Sequence, residues 1–145
     1  MKRKLLWILI PLLVLVAFLA TGTKTNPPSE RTVAWDSPDT EVLFNRACAN
    51  CHSNNTVWPW YANVAPVSWL VIGHVNEGRE HFNISAKKLG HADEAWEEVK
   101  EGDMPPWDYL LMHSEAKLTA EEKEKFITGL KNTFVESKDR EKTEE

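Results

Sequence analysis

The only two cysteines of the chain stand in one pentapeptide, Cys48-Ala49-Asn50-Cys51-His52, and this narrows the fold more than any other feature. Two thiols three residues apart, followed at once by an imidazole, serve four chemistries. A thioredoxin-like redox pair needs the motif at a helix start after a strand. A tetrahedral zinc site needs further ligands, and the sequence holds no second CxxC and no HxxxH pair. A structural disulfide leaves His52 without a role. Covalent attachment of c-type haem uses every member: the thiols add to the two vinyl groups, two intervening residues set the sulfurs on one helical turn, and the histidine comes up beneath the iron as the proximal ligand. Haem is the chemistry the motif favours.

The N-terminus is a class of its own. Lys2, Arg3 and Lys4 form a basic cap, and Leu5 to Ala20 follows as 16 residues without a charge. Carried to Gly22 the stretch is 18 residues, about 27 Å as a helix at about 1.5 Å per residue. The hydrocarbon core of a bilayer is about 30 Å thick. A secretory signal peptide has a shorter apolar core and small residues at its cleavage site, which Ala20 and Gly22 would supply. A retained signal anchor fits the length better. Either way the basic cap stays inside and the remainder is exported. The expected location is the periplasmic side of the inner membrane, held by the N-terminal helix, or the soluble periplasm after cleavage near Gly22.

The formal charge of −5 becomes −8 once those three cations are set aside. Such a body makes a poor nucleic-acid binder, because phosphates require clustered Lys and Arg. Electrostatics would steer it to basic partners; the sequence does not identify its redox partner protein.

The rest divides by its punctuation. Residues 1–22 are the signal anchor or signal peptide and 23–37 a linker, in which Pro27-Pro28 favours an extended chain. Val33 to Trp35 either lies back on the domain or belongs to a plain spacer. Ser37-Pro38 opens a helix, with Asp39 and Glu41 in its first turn, and this helix runs into Cys48. Pro66 opens a second, Val67 to His81. A third spans about Asp93 to Glu101 and stops at Gly102. The last starts in a capping box at Thr119-Ala120-Glu121-Glu122 and presents Phe126, Ile127, Leu130 and Phe134 on one face. Asn50–Pro66, Phe82–Leu89 and Asp103–Ser114 read as loops. No strand alternation or repeat is visible. The expectation is an all-α domain over 38–136, four helices with long loops, followed by a charged tail over 137–145. The first helix of the domain, through Phe44, should pack on the last, through Phe126 and Leu130.

The sixth iron ligand has six candidates: Met104, Met112, His74, His81, His91 and His113. Met104 is favoured, because it lies in Gly102-Asp103-Met104-Pro105-Pro106, a loop stiffened by two prolines after a helix stop. Met112 suits core or surface, His74 a helix face, and the other histidines the surface. Trp58, Trp60, Tyr61 and Trp69 are candidates to wall the porphyrin; plain core packing is the alternative. Arg79 and Lys87 are cations within reach of propionates, with solvated surface as their default.

The sequence resembles the bacterial haem-binding domain family. Asn26-Pro27-Pro28, Trp35-Asp36-Ser37-Pro38, the Cys48–Ser53 block, Thr56-Val57-Trp58-Pro59-Trp60-Tyr61 and Ala65-Pro66-Val67-Ser68-Trp69-Leu70 are similar to it. So are His74-Val75, Glu77-Gly78-Arg79, Phe82-Asn83-Ile84-Ser85 and Gly102-Asp103-Met104-Pro105-Pro106 with Tyr109. Where the family usually has an aromatic after Ser85, this chain has Ala86-Lys87-Lys88. The resemblance implies a cytochrome-c-like fold with one covalent haem in the periplasm, and puts Met104 at the family's Met-Pro motif.

The expected function is therefore that of a membrane-tethered monohaem cytochrome c carrying single electrons, a carrier rather than an enzyme. No acid–base constellation stands beside the motif. The alternative is a haem sensor or peroxidase-like protein with an open sixth site. A third reading is a haem-free module whose Trp-Pro segment grips a partner.

Overall fold

The computed structural model describes residues 2–19 and 22–135. Its first helix, α1 (Lys2–Leu19), holds the basic cap, the apolar run and Pro11. Among the described residues no helix is long and apolar enough to cross a membrane. Three of the 18 residues of α1 are Lys2, Arg3 and Lys4. Ala20 and Thr21, which complete the expected span, and the charged tail lie outside the described residues.

The domain helices begin and end where local chemistry puts them. In α2 (Pro38–Ala47) the Ser37 hydroxyl accepts the amide of Thr40 at 3.3 Å and Pro38 fills the first position. The chain bends at Cys48 and makes one further turn, α3 (Ala49–His52). A 3-10 turn at Trp60–Asn63 leads into α4 (Val67–His81). A second 3-10 turn at Ala92–Glu94 leads into α5 (Ala95–Glu101). Gly102, at φ +91°, ends α5 in the left-handed conformation that glycine adopts without strain. Then come α6 (Trp107–Met112) and α7 (Ala120–Leu130). In α7 the Thr119 hydroxyl and the Glu122 carboxylate cap each other's backbone amides, at 3.2 and 2.9 Å. A wider π turn, Lys131–Val135, prolongs it. The described residues contain no strand, only an isolated antiparallel bridge between Phe82 and Gly90.

The all-α expectation holds, but the count of four domain helices is corrected. The turn α3 and the helix α6 are additional. Asp103–Ser114, expected as loop, contains α6 because Pro105-Pro106 precedes the helix instead of interrupting it; proline is tolerated at a helix start, where no amide donor is missed.

The core is one apolar cluster joining α2, α5 and α7. Phe44, Phe126 and Leu130 are fully buried, with Leu43, Val99, Ile127 and Phe134 around them. The α2–α7 packing expected from Phe44, Phe126 and Leu130 is present. It needs Gly129, where any Cβ would collide with the Thr40 side chain. Trp35 closes the cluster, its ring 5.0 Å from Phe44 and 5.7 Å from Phe134.

Trp35 belongs to a segment that does not hang free as a spacer. Residues 24–36 lie along the domain. Lys24 donates to Asn63, the Glu30 amide to the Ser85 carbonyl at 2.8 Å, and the Asp36 amide to the Thr133 hydroxyl at 3.2 Å. The adjacent prolines keep this strap extended, and its polar residues supply the anchoring groups.

Candidate haem site

The CxxCH segment is a single turn held from both ends. The Cys48 amide donates to Phe44 in α2, and the amides of Cys51 and His52 both return to the Cys48 carbonyl, at 3.1 and 2.9 Å. α4 crosses beneath it at Gly78, where a Cβ would stand 2.8 Å from the Cys51 carbonyl oxygen. Only glycine lets the helix come so close. Both cysteines are free and half-buried. Burial pushes the Cys48 thiol up to about 12, with the neighbouring Cys51 adding to the effect. Burial also raises Cys51, to about 11, against the pull of the Arg79 guanidinium. Both are neutral thiols at physiological pH.

His52 is buried, and its ring stacks on Phe82 with centroids 4.0 Å apart and planes 9° off parallel. Its Nδ1 lies 3.1 Å from the Phe82 carbonyl oxygen. A carbonyl only accepts, so Nδ1 carries the proton and Nε2 keeps its lone pair. Burial holds the imidazole below its ordinary 6.5, opposed by that hydrogen bond. The result is a neutral, oriented imidazole with one nitrogen available to a metal.

The loop after the motif is fixed by buried polar groups. The Ser53 hydroxyl donates to the Ala49 carbonyl at 2.6 Å and accepts the Asn55 amide at 3.0 Å. The Asn54 amide donates to the Ser85 hydroxyl at 3.0 Å, and Asn54 Oδ1 accepts from Asn83 at 2.8 Å. The Ile84 amide donates to the His52 carbonyl at 3.0 Å. Arg79 ties strap to loop: it donates to the carbonyls of Ser53 and Thr25, to the Thr56 hydroxyl and to Asn26 Oδ1. It is occupied there as a clamp, which answers the question of a solvated or propionate-facing Arg79.

These parts surround a cavity of about 470 Å³, within the range of about 300–1,000 Å³ usual for cofactor-sized sites. Cys48, Cys51, His52 and Met104 all line it. Its apolar wall includes Phe44, Phe82, Val99 and Leu130. Met104 is half-buried against the core, its amide donating to the Glu98 carbonyl at 3.2 Å after Gly102 turns the chain. Two thiols, one oriented imidazole and one thioether beside apolar walls form a donor set suited to haem.

Of the other candidates for an iron ligand, His74, His81 and His91 line the cavity, whereas Met112 and His113 do not. His74 lies 3.7 Å from Asp108. His81 and His91 are exposed on the rim, stacked at 5.2 Å and both beside Glu94. His113 pairs with the Tyr61 hydroxyl at 2.8 Å and stacks on Tyr109.

The four aromatics expected as a haem wall lie outside the cavity lining. Trp60 is 75% exposed and Trp69 45%. The Trp58 indole donates to Asn26 at 3.2 Å. The physical reason is the course of α4. Its C-terminal half, from His74 to His81, lines the cavity, whereas Trp69 and the turn that carries Trp60 and Tyr61 belong to its N-terminal end, and Trp58 is drawn to Asn26 of the strap. The ring that lines the cavity from this side is Tyr109, whose hydroxyl accepts from Asn50 within the CxxCH motif at 2.8 Å. Burial raises the Tyr109 phenol above its ordinary value, while the Asn50 bond lowers it. The one weak sign of this pair in the sequence is an amide inside the motif.

The sequence matches the haem-binding domain family over residues 11–132. No curated protein and no solved structure gives a significant match.

Proposed function

The chain belongs to the haem-binding domain family, with haem as its cofactor, and from that premise we propose that it carries one covalent c-type haem and passes single electrons. Cys48 and Cys51 would hold the haem through thioether links, and His52, through Nε2, and Met104 would hold its iron. The observation that carries this is the buried His52, its Nδ1 engaged by the Phe82 carbonyl, lining the same apolar cavity as both thiols and the Met104 thioether.

When bound, the haem supplies a one-electron couple, whose potential His/Met ligation raises. The chain's own part is orientation and exclusion of water. Phe82 fixes the plane of His52, Gly78 lets α4 brace the motif, and Phe44, Val99 and Leu130 keep the cavity apolar. Residues 1–22 act as the export signal, retained as an anchor, so that the domain works on the periplasmic side of the inner membrane. The basic cap followed by the apolar run supports this.

The test is the optical spectrum of the protein matured by a host with haem-attachment machinery, oxidised and reduced, with and without carbon monoxide. A low-spin spectrum with a methionine–iron charge-transfer band, lost in Met104→Ala, and no carbon monoxide shift is the expected result. A high-spin spectrum that shifts at once with carbon monoxide overturns the carrier reading in favour of a sensor or peroxidase. Haem extractable by acid acetone from the wild type overturns covalent attachment.

A further inference from the structure

The most unusual stretch outside the haem site is Val57 to Asn76, twenty residues without Asp, Glu, Lys or Arg. The 25 residues that follow carry eleven. The structure gathers much of this stretch at one end of the molecule. The turn Trp60–Asn63 packs on the start of α4, and the Ser68 amide donates back to Val64 at 2.9 Å. Only part of the stretch is core: Ala62, Ser68, Ile72 and Val75 are buried. Val57, Trp60, Val64, Val67, Trp69 and Leu70 are exposed, Val57 and Trp60 to 75%. The α6 side adjoins through the Tyr61–His113 bond and adds Leu111 and Met112, exposed to 72% and 61%. Large apolar side chains exposed together on a soluble surface mark an interaction site.

Where the chain enters the domain says what covers this end. Gly22 rests on Ile72, where a Cβ would stand 3.2 Å from the Ile72 methyl, and Lys24 donates to Asn63 in the turn of the tip. One contact is in the N-terminal half of α4 and the other in the turn that precedes it. The last residue of α1 is Leu19, and three residues span at most about 10 Å of chain. The apolar helix therefore ends within about 10 Å of Gly22, the residue that rests on α4. Tryptophan is enriched at the headgroup layer of a bilayer because its ring is apolar and its N–H is polar. The acidic remainder of the domain is repelled by an anionic bilayer, and the tip, whose own stretch carries no Asp, Glu, Lys or Arg and against which the cation Lys24 lies, is the part that can approach it.

We propose that this apolar tip, the turn before α4 with the first two turns of α4 and the end of α6, seats in the surface of a lipid bilayer beside the N-terminal helix. It rests on the reading of that helix as membrane-inserted. Trp60 and Leu70 enter the headgroup boundary, and the exposed carboxylates Glu77 and Glu80, further along α4, stay in water. The bilayer then holds the domain in one orientation, which a tether alone does not do.

The test uses the full chain in vesicles of phosphatidylcholine and phosphatidylglycerol that contain a photoactivatable phosphatidylcholine, with labelled peptides read by mass spectrometry. The expected labels fall on α1 and on residues 57–70, and peptides from α7 stay clean. In Trp60→Asp/Leu70→Asp, both exposed positions, tip labelling falls at least threefold while α1 labelling and the melting temperature hold. Labelled α1 with a clean tip overturns this proposal and leaves the anchor standing. No label on either overturns both. A clean tip that instead cross-links to a second copy of the chain overturns it in favour of a dimer face.

Discussion

The two clusters that flank the candidate haem cavity are held by different forces. Behind it, α2, α5 and α7 enclose Phe44, Phe126, Leu130 and Phe134, an apolar cluster with few polar atoms. In front, α3, the loop after it and the strap enclose Ser53, Asn54, Thr56, Asn83 and Ser85, which are buried and hydrogen-bonded. Apolar burial is strong and indifferent to direction. Hydrogen bonds give less net stability but fix orientation, and they are costly to leave half-made. The division teaches that stability and precision are supplied by opposite walls. The polar side holds the loop that carries His52, while the imidazole itself rests on Phe82 of the apolar side.

The largest break of this contrast is Phe44→Ala. Phe44 meets the rings of Trp35, Phe82 and Phe134, and large-to-small changes at such sites cost about 3–5 kcal/mol. Urea unfolding should show that loss, with the strap released as well because Trp35 loses its seat. A variant that unfolds within 1 kcal/mol (about) of the wild type would mean that the apolar wall is not the main support.

Next is Gly129→Ala. The added methyl has nowhere to go but the Thr40 side chain, and overpacking costs about 1–3 kcal/mol. Thr40→Ala should restore most of it, since it removes the colliding atoms. Failure of that rescue would show that α7 resists the methyl for another reason.

Asn54→Ala attacks the polar wall. It removes the bonds to Pro28 and Asn83 and should cost about 2 kcal/mol, within the penalty for unpaired buried groups. The difference in kind is the sharper test. Hydrogen exchange should quicken at Ile84 and Glu30, whose amides hold the loop and the strap, while amides of α7 stay protected. Equal loosening of both walls would break the comparison.

The apolar wall was the legible one. Its helices announce themselves by caps at Ser37 and Thr119, a stop at Gly102 and the spacing of Phe126, Leu130 and Phe134, all local chemistry. The α2–α7 contact followed from Phe44 and the apolar face of α7. The polar wall was not legible, because its bonds join polar side chains far apart in the chain: Asn54 with Asn83, 29 residues apart, and Arg79 with Asn26, 53 apart. Nothing in a single sequence pairs them. α6 was missed because a proline pair reads as a breaker until its side of the boundary is known. The tryptophans near the motif misled in the other direction. Their size suggests burial, yet Trp60 lies on the surface at the apolar tip.

The smallest effect lies where the apolar wall borrows a polar device. Glu122 accepts the Thr119 amide and lies 2.8 Å from Arg46, so one carboxylate both caps α7 and ties it to α2. The Thr119 amide first, then Arg46, hold its pKa below the ordinary 4.5. A depressed carboxylate contributes stability that is present above its unfolded value and lost as pH falls through the folded one. Glu122→Gln keeps an acceptor for the cap and loses the charge. The urea midpoint of the wild type should therefore exceed that of Glu122→Gln at pH 7, and the gap should close as pH is lowered below about 4. The difference between the two proteins reports the Glu122 charge, its smaller effect on Glu121 and Lys125 included. A gap that stays constant to low pH would mean that the charge contributes nothing, and that the α2–α7 contact rests on Gly129 and the aromatic cluster alone.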